Sequence, residues 1–314
     1  MLNRVVDWVY DSPRVKEGVK AALLAASSRM PLGTNIFERD WDLLVVLDAC
    51  RPDALREVAP EYEFVDEVDT IWSVGSATRE WVANTYTRRY ERTISETAIV
   101  SGNATVKYAL ERGNTALESR TVDRFTDWDM VDPETPLCID SVWNYTPPDP
   151  WSGLVLPGVV TARAVDLGRT LDPERLVAHY MSPHMPYRAR AIRENRPLEP
   201  HERNPWESLR SGTPREVVWE AYLDETRWVL DHVGALLDNY DAEQVIITAD
   251  HGELFGEQGL YAHPMVPHPR LRRVPWVETT AIDTGEYEYQ ITPPEDQRID
   301  DDDVTDRLAN LGYL

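Results

Sequence analysis

The run Leu-Leu-Val-Val-Leu at 43–47 is apolar at every position and stops at Asp48. A strand with one wet face alternates apolar and polar residues; a strand without alternation must be covered on both faces. That requirement disfavours an open antiparallel sheet and calls for a central strand between two helical layers. A second unbroken run, Val245, Ile246 and Ile247 in a candidate strand 244–249, ends in Asp250, His251 and Gly252. Residues 175–180 read as a third strand, ending in a Pro-bounded loop that contains His184, and 97–103 as a short strand and turn.

Helical signals lie between these strands. Residues 74–90 read as a loop entering a helix, with Thr78 or Ser76 as its N-cap. The best-specified helix starts at Thr213, where Thr213 and Glu216 fit a capping box and Pro214 suits the first helical position. Val218, Tyr222, Val229, Val233 and Leu236 then share one face. Alternating strands and helices predict an α/β fold with a mainly parallel, doubly wound sheet, whose ligands collect at the carboxyl ends of the strands. Residues 115–160, rich in Pro, Asp and Trp, read as long loops; 278–292 as a small antiparallel edge; and 301–314 as a charged turn and closing helix. Near the N-terminus, Val5, Val6 and Val9, then Val15, Val19 and Leu23, follow helical spacing. Residues 1–35 are thus expected to form a helical segment packed on a single domain at 36–314. The alternative for that segment is a helix lying on a membrane surface.

Charge narrows the partners. The chain of 314 residues carries a net charge of −23, and only Lys16, Lys20 and Lys107 are lysines among its 32 basic residues. Such a field repels nucleic-acid backbones and anionic lipid, so an anionic substrate must be received by local positive charge. An acidic surface nearly free of lysine also fits a salt-adapted, halophilic cytoplasm. Cys50 and Cys138 do not make a disulfide framework. No run reaches the ~20 apolar residues of a membrane span, and no signal-peptide core precedes residue 35, so a cytoplasmic protein is expected.

Adjacent Asp250 and His251 reach one cation once the chain turns, and Gly252 is expected to permit that turn. Asp48 adds a second carboxylate. Two carboxylates and an imidazole suit Zn²⁺ or Mn²⁺ better than Mg²⁺ or Ca²⁺.

Five stretches, "VVLDACRPDAL", "HYMSPHMPY", "ITADHGELFGEQGLYAHP", "LRRVPWVE" and the terminal "RLANLGYL", resemble the sulfatase branch of the alkaline phosphatase superfamily in order and approximate spacing. They cover most of residues 41–314. The resemblance implies an alkaline-phosphatase-like α/β/α sandwich and a divalent metal that activates a hydroxyl or hydrated-aldehyde nucleophile. It implies Asp48, Asp250 and His251 as metal ligands, His184 as a substrate-binding residue and His263 as a basic group near the leaving oxygen. The nucleophile is expected within residues 75–78, with Thr78 before Ser76, because Thr78 sits closest to the anion-favouring start of a helix.

The chain also departs from the pattern. Sulfatases oxidise a Cys within Cys-x-Pro-x-Arg, but here Ala54 replaces the Arg, and Cys50 follows Asp48 by only two residues. Cys50 reads as a small buried residue and the nucleophile as an ordinary alkoxide. Two-metal relatives carry an Asp where Tyr180 stands, and Ala49 replaces a further ligand of the sulfatases, which points to one metal site. A second metal held by His184 and His263 is the alternative. Arg51 and Arg79 read either as anion-binding forks or as ion-pair partners, and His179 as a core imidazole. The expected function is hydrolysis of phosphate or sulfate esters of a small anionic substrate. Transfer of a phospho-group onto a glycan or lipid head group, and non-catalytic binding of sulfo- or phospho-glycans, are the rival readings.

Overall fold

The computed structural model of the chain describes residues 13–113, 122, 124–146, 149, 152 and 154–287. In chain order its main elements are α1 (Pro13–Arg29), β1 (Leu43–Leu47), α2 (Pro52–Val58), β2 (Asp69–Trp72), α3 (Thr78–Thr85), β3 (Thr97–Ser101) and α4 (Ala104–Arg112). Then come β4 (Cys138–Ser141), α5 (Pro157–Leu171), β5 (Arg175–Tyr180), α6 (Arg215–Leu237), β6 (Ala242–Thr248), the short pair β7 (Leu254–Phe255) and β8 (Tyr261–Ala262), and β9 (Arg273–Ala281).

The central sheet has seven strands in the order β2-β9-β6-β1-β5-β3-β4. β6, β1, β5, β3 and β4 pair in parallel; β9 runs antiparallel to both β6 and β2. β1 is central and wholly buried, as its unbroken apolar run requires. Leu43, Val45 and Leu47 enter one core with Leu55 of α2, Val160 of α5 and Val229 of α6. Leu44 and Val46 enter the other with Leu24 of α1, Trp81 of α3 and Val106 of α4. Helices thus cover both faces, and the α/β/α sandwich with its mainly parallel sheet is the fold the sequence calls for. Each such side chain contributes roughly 1.5–3 kcal/mol on burial, so a carboxylate directly after β1 sits where only a specific partner makes it tolerable.

Three expectations are corrected. The 115–160 stretch contains β4 and the start of α5. β4 is a four-residue edge strand of mixed burial, too short to show a period. α5 opens on Pro157 and is rich in Val, which hides its helical signal. The antiparallel strand β9 begins at Arg273, five residues before the expected stretch, and lies inside the sheet between β6 and β2; residues 288–292 lie outside those described. α6 starts at Arg215 with Pro214 as N-cap and no capping side chain. The expected box fails because Thr213 closes the preceding turn, its N–H donating to Ser208 O (2.9 Å).

α1 lies against α3: Ala21 and Leu24 are buried, and Ser27 Oγ donates to Glu80 (2.6 Å). Val19 of the same helix is exposed. The positions Val5, Val6 and Val9 and the stretch 301–314 lie outside the described residues. No helix among the described residues is long and apolar enough to cross a membrane.

Candidate active site

β1 lies between β5 and β6, so the loops that leave these three strands emerge side by side. The first carries Asp48, the second His184, the third Asp250 and His251. Thr78, the first residue of α3, completes the group. All five are buried.

Asp250 is the hub. Its Oδ1 accepts from the amides of Ala49 (3.2 Å) and His251 (2.8 Å), and its Oδ2 accepts from the Thr78 hydroxyl (2.7 Å). The Ala49 amide points there because Ala49 takes a left-handed backbone conformation, φ 60°, unusual for a residue with a Cβ and a place where strain is held by surrounding structure. The Asp48 Oδ2 accepts from Asn103 Nδ2 (2.6 Å). The His251 Nε2 stands 3.5 Å from Asp48 Oδ1, 3.5 Å from Asp250 Oδ2 and 3.3 Å from Thr78 Oγ1. Its Nδ1 lies 2.8 Å from Gly252 O, which assigns the proton to Nδ1 and leaves the Nε2 lone pair facing the carboxylates.

Gly252 is needed for a different reason from the expected one. Its φ is not in the left-handed region. A Cβ there would meet the Arg270 carbonyl oxygen at 2.1 Å, and the Gly252 amide donates to Leu271 O (2.7 Å). Gly252→Ala is therefore expected to push the Asp250–His251 turn off Arg270. The cost should be about 1–3 kcal/mol of stability, as for overpacking, with at least a tenfold loss of activity; urea unfolding and steady-state kinetics read the two effects.

The sequence reads His179 as a core imidazole, which would be expected to have its ring nitrogens hydrogen-bonded. Instead neither ring nitrogen has a hydrogen-bond partner, and its Nε2 lies 4.0 Å from Asp250 Oδ2. Ligand atoms of Asp48, His179 and Asp250 lie within 4.8 Å of one another. Burial lowers His179 to about 4. Burial, then the neighbouring His263, holds His251 well below the usual range. The partners of Asp250 are thus amides, a hydroxyl and neutral imidazoles, none with fixed positive charge. Buried carboxylates without a cation are costly, so this donor set fits a divalent ion.

A second group stands beside the first. His184, Glu253 and His263 bring ligand atoms within 4.8 Å of one another. The His263 ring lies 5.0 Å from that of His184 and 4.6 Å from that of His251. Burial opposes protonation of His263, but Glu253, 3.3 Å away, and then Asp250 outweigh it and raise its pKa. Burial raises Glu253 in turn. Glu253 was missed in the sequence, although a Glu held between Gly252 and Leu254–Phe255 in an apolar stretch was the signal to use. This group can receive either an anionic ester through His184 and His263 or the second cation already considered.

The expected helix caps take other partners. Ala77, not Ser76 or Thr78, is the N-cap of α3, and no side chain caps it. The Ser76 amide and hydroxyl both bond Glu80 Oε2 (2.9 and 2.8 Å), while Glu80 Oε1 also takes Ser27 and Arg272. Trp81 packs edge-on against His179, with centroids 5.6 Å apart. Arg79 is buried with its guanidinium 5.5 Å from the Tyr108 ring. Burial pushes the Cys50 thiol far above its usual value, so it stays protonated.

Of the two readings of Arg51, anion-binding fork or ion-pair partner, its contacts are those of an ion pair. It binds both Asp53 oxygens (2.9 and 2.6 Å), Glu257 Oε1 (2.7 Å) and Glu253 O (3.1 Å), with Trp219 and Phe255 rings at 5.0 and 5.5 Å. Burial alone would raise Asp53 and Glu257; Arg51 outweighs it and holds both below their usual range. Lowered folded values mean that this stability is present above the unfolded carboxylate range, about pH 4, and is lost as pH falls through the folded values. The urea midpoint should therefore drop as pH falls below about 4.5, and Arg51→Met should flatten that limb while lowering the midpoint at neutral pH.

Fold and site together define a class: an α/β/α sandwich with a buried hydroxyl, paired carboxylates and imidazoles gathered at the carboxyl edge of a mainly parallel sheet. Solved structures similar to the chain include phosphoethanolamine transferases and sulfatases. One is the integral membrane protein lipooligosaccharide phosphoethanolamine transferase A from Neisseria meningitidis, with TM-score 0.49 and 14% identity over 82% of this chain and 50% of that one. The chain spans half the length of that protein. Another is the soluble domain of lipooligosaccharide phosphoethanolamine transferase A from Neisseria meningitidis, with TM-score 0.45 and 14% identity over 76% and 75%. A putative sulfatase from Bacteroides thetaiotaomicron gives TM-score 0.41 and 13% identity over 76% and 64%. No family model and no curated protein sequence matches the chain.

Proposed function

We propose that the chain is a metal-dependent enzyme that cleaves phosphate or sulfate esters, with the Thr78 hydroxyl as nucleophile. One observation carries the reading: Thr78 Oγ1 bonds Asp250 at 2.7 Å and stands 3.3 Å from His251 Nε2, whereas the rival Ser76 is tied to Glu80. Asp48, Asp250, His251 and His179 would hold a divalent ion, with Zn²⁺ or Mn²⁺ suited best. Such an ion, when bound, acidifies a hydroxyl and offsets charge on a tetrahedral ester.

The chain's own residues supply the rest. The Thr78 proton leaves along its bond to Asp250 while Oγ1 attacks phosphorus or sulfur in line. The bond to the leaving oxygen breaks, and that oxygen takes a proton from His263, which Glu253 biases toward its charged form, or from His184. The α3 amides face the equatorial oxygens. Water attacking the Thr78 ester breaks its bond to Oγ1, which takes back a proton from Asp250, while the imidazole left neutral by the first step takes the water's proton; an acceptor alcohol attacking in the same way completes transfer instead.

The substrate is a small anionic ester, glycan- or lipid-linked, met in a salt-rich cytoplasm or at a membrane surface. A panel of chromogenic phosphodiester, phosphomonoester and sulfate ester, run with chelator, Mn²⁺ or Zn²⁺ in dilute and molar KCl, tests this. One ester class should turn over with metal and not with chelator. An acid-quenched sample should yield a phosphoryl or sulfuryl adduct on the Thr78 peptide. Product analysis with added alcohols separates hydrolysis from transfer. No turnover anywhere in the panel, with ester binding retained, favours the non-catalytic reading instead.

A further inference from the structure

The loop that carries His184 is fastened at both ends to one buried carboxylate. Glu225 lies on α6, away from every candidate metal ligand in sequence, and is fully buried. Its Oε1 accepts from Ser182 Oγ (2.7 Å), just before His184, and from Arg188 Nε (3.4 Å). Its Oε2 accepts from the amides of Arg188 (2.6 Å) and Ala189 (2.9 Å), just after. The Arg188 guanidinium crosses the base of the loop: Nη2 donates to Ser182 Oγ (3.0 Å), and Nη1 donates to Val155 O (3.0 Å) and reaches Asp149 Oδ2 (3.3 Å). Trp228 of α6 covers it, 5.2 Å from ring centroid to guanidinium. Within the loop, His184 Nδ1 lies 2.7 Å from Met185 O, and its ring centroid is 5.0 Å from that of His263.

A buried ion pair of this kind is seldom the most stable way to fill a core; apolar side chains of similar volume often serve better. What it adds here is direction. Four donors converge on one carboxylate from the two ends of a single loop, so the pose of the imidazole is set by a residue that never touches it. We propose that Glu225, working with Arg188 and Ser182, is a positioning residue that fixes the ring orientation and tautomer of His184. The inference rests on the proposed function only in giving His184 an ester to face.

The test is histidine-selective ¹⁵N NMR of the full chain, alongside steady-state kinetics. In the wild type, His184 should show one tautomer, protonated on Nδ1. In Glu225→Gln, which keeps the volume and removes the charge, His184 should broaden or show both tautomers while His251 stays unchanged. kcat/KM should fall roughly tenfold to a hundredfold, as for other groups that orient a site imidazole. Ser182→Ala, the milder lesion, should shift His184 the same way by less, and it decides the matter if Glu225→Gln does not fold. An unchanged His184 resonance in a folded variant overturns the positioning role, whatever the kinetics. A shifted His184 in a protein that cleaves no ester leaves the positioning role standing and removes the proposed function.

Discussion

Thr78→Ala should lower turnover of the preferred chromogenic ester at least about a thousandfold, roughly 4 kcal/mol of barrier, while Ser76→Ala stays within tenfold. The two hydroxyls lie two residues apart at the start of one helix, so composition and propensity cannot separate them. Their partners do. Ser76 donates to Glu80, a carboxylate already shared with Ser27 and Arg272 and so part of the scaffold that holds residues 73–78. Thr78 donates to Asp250, the residue on which both neighbouring loops converge. Losing a nucleophile removes a step made only in the transition state, so kcat and kcat/KM should fall together. Losing the Ser76 hydroxyl should show mainly as a lower melting temperature. Thr78→Ser should keep part of the activity, because the oxygen survives while the methyl that fixes its rotamer does not. A Thr78→Ala enzyme that retains a tenth of wild-type turnover would falsify the assignment.

Asp48, Asp250 and His184 were legible in the sequence for one reason: each follows a strand whose burial is written into the chain. Asp48 and Asp250 stand out because nothing apolar in β1 or β6 prepares for them. The Pro-bounded loop marks His184 in the same way. The parts that were not legible depend on facing. His179 lies within β5, and only the register with β1, in which it sits opposite Val46, shows that it ends up beside Asp250. Asn103 looked like a turn residue, yet it both caps α4 through Thr105 N (2.8 Å) and steadies Asp48 (2.6 Å). For Arg51 the sequence leaves anion fork and ion-pair partner equal, and only the fold of residues 253–257 over it shows the ion pair. The missed helix α5 and strand β4 failed for a simpler reason: one is Val-rich and the other four residues long, so neither displays a period. Short edge elements and β-branched helices are where packing overrides local preference.

Removing metal should destabilise the protein as well as silence it, and Asp48→Asn should separate the two effects. Carboxylate oxygens of Asp48 and Asp250 lie within 4.8 Å of one another, a like-charge repulsion of roughly 3 kcal/mol at an effective dielectric near 20. A bound dication reverses that term. With free metal about a thousandfold above Kd, the folded state gains about 4 kcal/mol, which for a domain of this size is a rise in Tm of roughly 10 °C. Chelated wild type should therefore melt about that much below the metal-loaded form. In Asp48→Asn one of the two charges is gone, and the amide oxygen can still accept from Asn103. The chelated variant should melt at or above chelated wild type, yet gain little from added metal and turn over no ester. Differential scanning fluorimetry across a Zn²⁺ and Mn²⁺ series reads all three outcomes. If chelated Asp48→Asn melts well below chelated wild type, and metal shifts neither protein, then Asp48 serves as a hydrogen-bond acceptor for Asn103 alone and the buried carboxylates do not share a cation.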